Sequence, residues 1–210
     1  MCSGSPSCLS YICSLLLNKR PKSVLDVGIG SGKWGFLVRE YVDLWRPGNK
    51  FGRAEIDQSS FDSSDRFNCE RFFGKDRTRL VGIEIFEPYI TDIHRMIYDE
   101  ILIGDAYEIL PKMTEYFEMI IAADIVEHLE KDHAMELLKE FKKHGKVIQI
   151  LIPINCSRSG IPEHENVYEI HRSHWSVEEL NKFGKTYILG DVYYLLEIEG
   201  EIAPSFRLGE

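Results

Sequence analysis

Between Val24 and Gly35 the chain reads Val-Leu-Asp-Val-Gly-Ile-Gly-Ser-Gly-Lys-Trp-Gly. Glycine admits positive φ and lets a ligand approach the main chain closely. A helix starting just after such a turn presents free N–H groups to a negative or polar group. This is the chemistry of cradling a nucleotide-like cofactor. Carboxylates recur further along, at Glu84, at Asp105 in Gly104-Asp105-Ala106, and at Asp124 and Glu127 in Asp124-Ile125-Val126-Glu127-His128-Leu129. Histidine, the usual general base near neutral pH, falls at His128 and at His171 in Tyr168-Glu169-Ile170-His171-Arg172-Ser173-His174-Trp175. His94, His133 and His144 fall in helical patterns and are expected to be solvated.

The elements needed to hold these residues alternate. Ser23–Val27, Leu80–Ile85, Ile101–Ile103, Met119–Ala123 and Lys146–Ile152 are short apolar runs that predict strands. Helices are predicted over Lys33–Val42, from Pro88 through Ile97, and over Lys131–Lys142 with Met135, Leu138 and Phe141 inward. Near-continuous apolar strands separated by helices imply a parallel sheet covered on both faces. Thr186–Leu189, Gly190-Asp191 and Tyr193–Ile198 read as a hairpin. The fold class is therefore α/β: a doubly wound, Rossmann-like sandwich with a seven-stranded, mostly parallel sheet and an antiparallel C-terminal hairpin strand. Ser176 and Glu179 predict a capping box opening a further helix. The chain reads as a single domain, residues 1–210, with an N-terminal helix within 1–20. A polar stretch, 46–79, is far longer than the usual connection of about 2–6 residues and reads as an insertion or lid.

Each carboxylate closes a predicted parallel strand, where open α/β sheets bind ligands. Glu84 could accept two hydrogen bonds from a ribose diol. Dinucleotide binders space their glycines G-x-G-x-x-G, but Lys33 takes the third position here. Asp26 followed by Gly28-x-Gly30-x-Gly32 instead resembles motif I of the class I S-adenosylmethionine-dependent methyltransferases. The Asp124–Leu129 segment resembles that family's motif IV, and the resemblance covers residues 20–200. It implies S-adenosyl-L-methionine as cofactor and S-adenosyl-L-homocysteine as product. The implied cofactor contacts are Asp26, Gly28, Ile29, Gly30, Ser31, Gly32, Trp34, Glu84, Ile85, Asp105, Ala106, Asp124 and Ile125. Asp26 would organise the turn and meet the amino-acid end, and Asp105 would hold the adenine amino group.

Tyr168-Glu169-x-His171-x-Ser173-x-Trp175-Ser176 resembles a segment of small-molecule and glycan-associated members of the superfamily. It implies a hydroxyl acceptor on a small molecule or sugar, with His171 as the leading base, His128 as the second candidate, and Arg172 available to an anionic group. Asp124-x-x-Glu127-His128 with a distal His171 or His174 is also similar to the metal-holding arrangement of small-RNA 2′-O-methyltransferases and ubiquinone-pathway O-methyltransferases. A divalent metal on Asp124, Glu127, His128 and His171 is thus an alternative to the metal-free reading adopted here. Rival functions are a metal-assisted RNA 2′-O-methyltransferase and a non-catalytic cofactor-binding subunit. An NAD-dependent dehydrogenase is disfavoured by Lys33.

Composition sets outer limits. With 25 Lys and Arg against 34 Asp and Glu, the net charge is 25 − 34 = −9. That disfavours nucleic acid as a partner, since such binding rests on basic residues neutralising phosphates. Five cysteines without a CxxC pair make neither a disulfide framework nor a zinc finger, so reduced thiols and a cytoplasmic location are expected. The apolar run Tyr11–Leu17 is seven residues, against the roughly 20 of a membrane span. An N-terminal helix packed on the domain is expected there.

Overall fold

The computed structural model describes residues 6–44, 77–154 and 166–201. The insertion expected at 46–79 lies outside these residues except for its last three positions. At the centre is β1 (Ser23–Val27), whose buried side chains alternate between two apolar layers. Val24 enters one layer, and Leu25 and Val27 the other. It pairs in parallel with β2 (Arg79–Glu84) on one side and β4 (Phe117–Ala123) on the other. With β3 (Glu100–Ile103), β5 (Gly145–Pro153), β6 (Lys185–Leu189) and β7 (Tyr193–Glu199), the strand order is β3-β2-β1-β4-β5-β7-β6. The order reverses at β1 and β4, which creates the switch-point crevice of an open α/β sheet.

The terminal hairpin is present. Its turn carries positive φ at Gly190 (58°) and Asp191 (55°), a pair that matches the twist of antiparallel strands. β7 runs antiparallel to both β5 and β6, so it alone is reversed.

On one face lie α1 (Pro6–Lys19), α2 (Lys33–Val38) and α3 (Asp92–Ile97). They bury Ile12, Leu16, Trp34, Val38 and Ile97 against Val24, Met119 and Ile121. On the other lie α4 (Ala106–Ile109), α5 (Lys131–His144) and α6 (Val177–Leu180). There Leu137, Leu138, Phe141 and Leu180 pack on Leu25, Ile120, Ala122 and Ile150. The α6 capping box is formed, with Ser176 N–H donating to Glu179 and Glu179 N–H to Ser176 Oγ. Cys8 and Cys13 are unbridged. Among the described residues no helix is long and apolar enough to cross a membrane.

Two expectations fail. The helix expected over Lys33–Val42 is α-helical only to Val38 and continues as a π-helical turn, Arg39–Leu44. The change begins at Arg39, which is fully buried. Its guanidinium donates to Asp43 (2.9 Å), Asp99 (2.9 Å) and the carbonyls of Thr78 (2.5 Å) and Ile97 (2.8 Å), so it joins α2 to the start of β2 and the end of α3. His94 and His144 are buried rather than solvated, because their rings reach main-chain carbonyls and other partners between elements.

Arg39→Leu would remove the buried cation that bonds Asp43, Asp99 and the carbonyls of Thr78 and Ile97 together. It should lower stability by about 3–5 kcal/mol in urea unfolding with an unchanged m value. A loss below about 1 kcal/mol would show that the cluster does not join these elements.

Candidate functional site

The turn from β1 into α2 is built on three left-handed residues, Gly28 (φ 78°), Gly30 (φ 52°) and Gly32 (φ 76°). Side chains rarely adopt this conformation, which explains the alternate glycines. A Cβ on Gly28 would also overlap Ile125. The turn is pinned to β2. Gly28 and Ile29 N–H donate to Ile83 O, and Gly30 N–H donates to Glu84 Oε2 at 3.0 Å. The other Glu84 oxygen accepts Phe86 N–H at 2.9 Å. Burial pushes Glu84 up from its ordinary range, while these two amides pull it down.

The turn opens onto a cleft of about 310 Å³ at the carboxyl ends of β1, β2 and β4. Of the expected cofactor residues, Gly28, Gly30, Glu84, Ile85, Asp105, Asp124 and Ile125 line it. Asp26, Ile29, Ser31, Gly32, Trp34 and Ala106 do not. Ser31 is exposed outside the wall, and the other five are buried behind it. Asp26 is 1% exposed and accepts Tyr98 O–H at 2.5 Å. Burial pushes its carboxyl up to about 7, with the Tyr98 hydrogen bond opposing and the Glu84 charge adding. Asp26 lies behind the cleft wall rather than on it. Asp105 also caps α4, accepting Tyr107 N–H at 2.9 Å.

Asp124 sits at φ 56°, a strained conformation for a residue with a side chain, and accepts Tyr193 O–H at 2.7 Å. The segment after β5 is stitched onto the one after β4. Arg172 and Ser173 N–H both donate to Glu127 O, and Ser173 Oγ donates to Val126 O. Arg172 donates from its guanidinium to His128 O and Val167 O, so part of its hydrogen-bonding capacity is already used structurally.

This stitching brings His128 and His171 together, edge to face with ring centroids 4.7 Å apart. His128 lines the cleft, whereas His171 is buried behind it. His128 Nδ1 lies 3.2 Å from Ile170 O, a partner that can only accept, so Nδ1 carries a proton, and Nε2 lies 3.9 Å from Glu127 Oε1. Glu127 is 2% exposed, and neither carboxylate oxygen has a hydrogen-bond partner. One ligand atom from each of Glu127, His128 and His171 lies within 4.8 Å of the others. Asp124 lies outside this group, and His174 is exposed.

Several site residues were not anticipated. Tyr89 and Glu169 line the cleft and bond to each other across it at 3.1 Å, and His133 lines it while stacking on Tyr107. Tyr98 and Tyr193 hold Asp26 and Asp124 from other elements. The nearest sequence signal was the position of Tyr193 at the start of the last strand.

No protein-family model matches the chain, and no curated protein matches it in sequence. Solved structures do match in fold. The N-terminal domain of EvdMO1, solved in the presence of S-adenosylhomocysteine and D-fucose, is 12% identical with a TM-score of 0.56, over 95% of this chain and 85% of that one. The PH0226 protein from Pyrococcus horikoshii is 16% identical with a TM-score of 0.55, over 92% and 88%. The methyltransferase domain of bacterial CtHen1-C is 12% identical with a TM-score of 0.51, over 92% and 97%.

Asp26 has a pH signature. Its carboxyl moves from 3.8 to about 7 on folding, so between those values the folded state holds a proton that the unfolded state has lost. Stability should therefore fall as pH rises through this window and level off above it. Asp26→Asn should flatten that slope in urea unfolding at a series of pH values. An unchanged slope would show that Asp26 does not titrate as a buried acid.

Proposed function

The chain has the Rossmann-like fold of S-adenosylmethionine-dependent methyltransferases, and we propose that it is one. It binds S-adenosylmethionine at the carboxyl ends of β1, β2 and β4 and methylates a hydroxyl on a small molecule or sugar. The observation that carries this reading is the left-handed glycine turn facing Glu84, Asp105 and Asp124 across one cleft at the switch point. The chain acts as a single cytoplasmic domain, with 46–79 as an insertion.

Main-chain carbonyls of Gly28 and Gly30, through lone pairs that the bonds within the turn leave open, accept the ammonium of the amino-acid end of the cofactor. Glu84 takes the ribose diol with the lone pairs its two amides leave open, and Asp105 takes the adenine edge. The sulfonium supplies the activated methyl group. The protein's task is to place the acceptor oxygen in line and remove its proton. His128 Nε2 would take the proton that the acceptor hydroxyl gives up on methylation. His171 packs behind His128 and positions it. Carboxylates Glu84, Asp105, Asp124, Glu130 and Glu169 line the cleft together with Arg172, which favours an uncharged acceptor over RNA.

One observation favours a second reading. The buried Glu127 carboxylate has no hydrogen-bond donor, and ring nitrogens of His128 and His171 lie beside it, with His128 Nε2 3.9 Å from Glu127 Oε1. A carboxylate and two imidazoles suit a divalent ion. Glu127, His128 and His171 would hold it, and it would supply Lewis acidity to the acceptor hydroxyl. His128 would then be a ligand rather than the base.

Calorimetric titration should show binding of S-adenosylmethionine and S-adenosylhomocysteine but not NAD, and Glu84→Ala should weaken it. Preferential binding of NAD would sink the proposal. With acceptors screened by product formation, His128→Ala should spare cofactor binding and slow turnover about 10²- to 10⁴-fold. Under the metal-free reading Glu127→Gln and chelator both leave turnover intact. Loss of turnover in both, restored by a divalent ion in the wild type alone, would establish the second reading.

A further inference from the structure

His94 lies outside the cleft, on α3, and is 5% exposed. Its Nδ1 accepts Thr91 N–H at 3.0 Å and lies 2.8 Å from Thr91 Oγ1. Nε2 is 3.2 Å from Gly30 O, which can only accept, so Nε2 carries a proton and donates to it. Gly30 is thus held through both main-chain groups. Its N–H is fixed by Glu84 at the end of β2, and its C=O by His94 one element later. The ring also packs over Gly32, where a Cβ would fall 2.9 Å from His94 Cδ2. The ring, oriented by the backbone and hydroxyl of Thr91, faces the middle of the glycine turn.

We propose that His94 is a positioning residue for the cofactor: its Nε2–H fixes the Gly30 carbonyl so that the turn is ordered before the ligand arrives. This rests on the reading that the turn cradles S-adenosylmethionine. Ordering the turn on folding removes that cost from binding. The turn meets a part of the cofactor remote from the transferred methyl, so it acts equally on ground and transition states. Loosening it should raise KM for the cofactor and leave kcat unchanged.

A bare helix-capping role predicts something different, and two variants separate them. His94→Asn keeps an acceptor near Nδ1 but cannot reach Gly30. His94→Gln carries a donor out to the position of Nε2. Calorimetry on the full chain should show His94→Asn binding S-adenosylmethionine about 3- to 10-fold more weakly, the worth of one hydrogen bond, with kcat unchanged. His94→Gln should bind as the wild type does. Amide hydrogen exchange without ligand should be faster at residues 30–32 in His94→Asn and normal in His94→Gln. Wild-type affinity in His94→Asn, or equal weakening in both variants, would overturn the proposal. If the wild type binds no S-adenosylmethionine, the functional reading fails, and the exchange rates still decide whether His94 orders the turn.

Discussion

The site depends on one carboxylate accepting main-chain amides from two separate segments. Glu84 receives Gly30 N–H from the turn after β1 and Phe86 N–H from its own strand end. Parallel register makes this possible, because Val27 lies beside Ile83 and the next residue on each strand is Gly28 and Glu84. Three alternate left-handed glycines have little intrinsic preference for one arrangement. Anchoring to Ile83 O and Glu84 selects one, and the selected arrangement leaves the turn facing the cleft. The ribose-binding logic read for Glu84 and this structural role coexist, since each carboxylate oxygen has lone pairs beyond the one bond it already accepts.

Carboxylates in this protein fall into two environments. Asp43 and Asp99 share the Arg39 guanidinium. Burial pushes Asp99 up, but the Leu80 amide and the Arg39 and Arg77 guanidinia outweigh it and hold the acid below its usual range. Asp26, Glu84 and Glu127 are buried with no cation bonded to them, and burial pushes all three up. Burying an acid without a cation is costly. Such groups collect where charge must meet a ligand. The apolar layers on both faces of the sheet offset that cost, and the cleft lies at the carboxyl ends of β1, β2 and β4.

The sheet was largely legible because its central strands β1, β2, β4 and β5 are buried on both faces, which makes them near-continuous apolar runs in the sequence. Glu84, Asp105 and Asp124 were legible as cleft residues because each ends such a run. Asp26 was legible as important but not as buried, since nothing local reveals that Tyr98, on another element, covers it. His94 and His144 were misread because helical spacing does not say which neighbour a polar ring will meet. The His128–His171 pair was readable as two separate candidates. Which ring faces the cleft depends on the stitching of Ser173 and Arg172 to the post-β4 segment, a contact across more than 40 positions.

The reversal of β7 has a consequence for the site as well as for the edge of the sheet. A parallel strand brings its end to the carboxyl edge, whereas an antiparallel one brings its beginning. Tyr193, the first residue of β7, therefore lies opposite Pro153, the last of β5, and its hydroxyl reaches Asp124. Asp124 needs that partner. A left-handed aspartate is strained by about 1–3 kcal/mol and persists only where its surroundings fix it. The Asp124 N–H donates to Leu151 O, which fixes the main chain, and Tyr193 fixes the side chain. A tight Gly190-Asp191 turn can deliver Tyr193 there only if β7 runs backwards, so the direction of the last strand and the aim of a cleft carboxylate are one constraint.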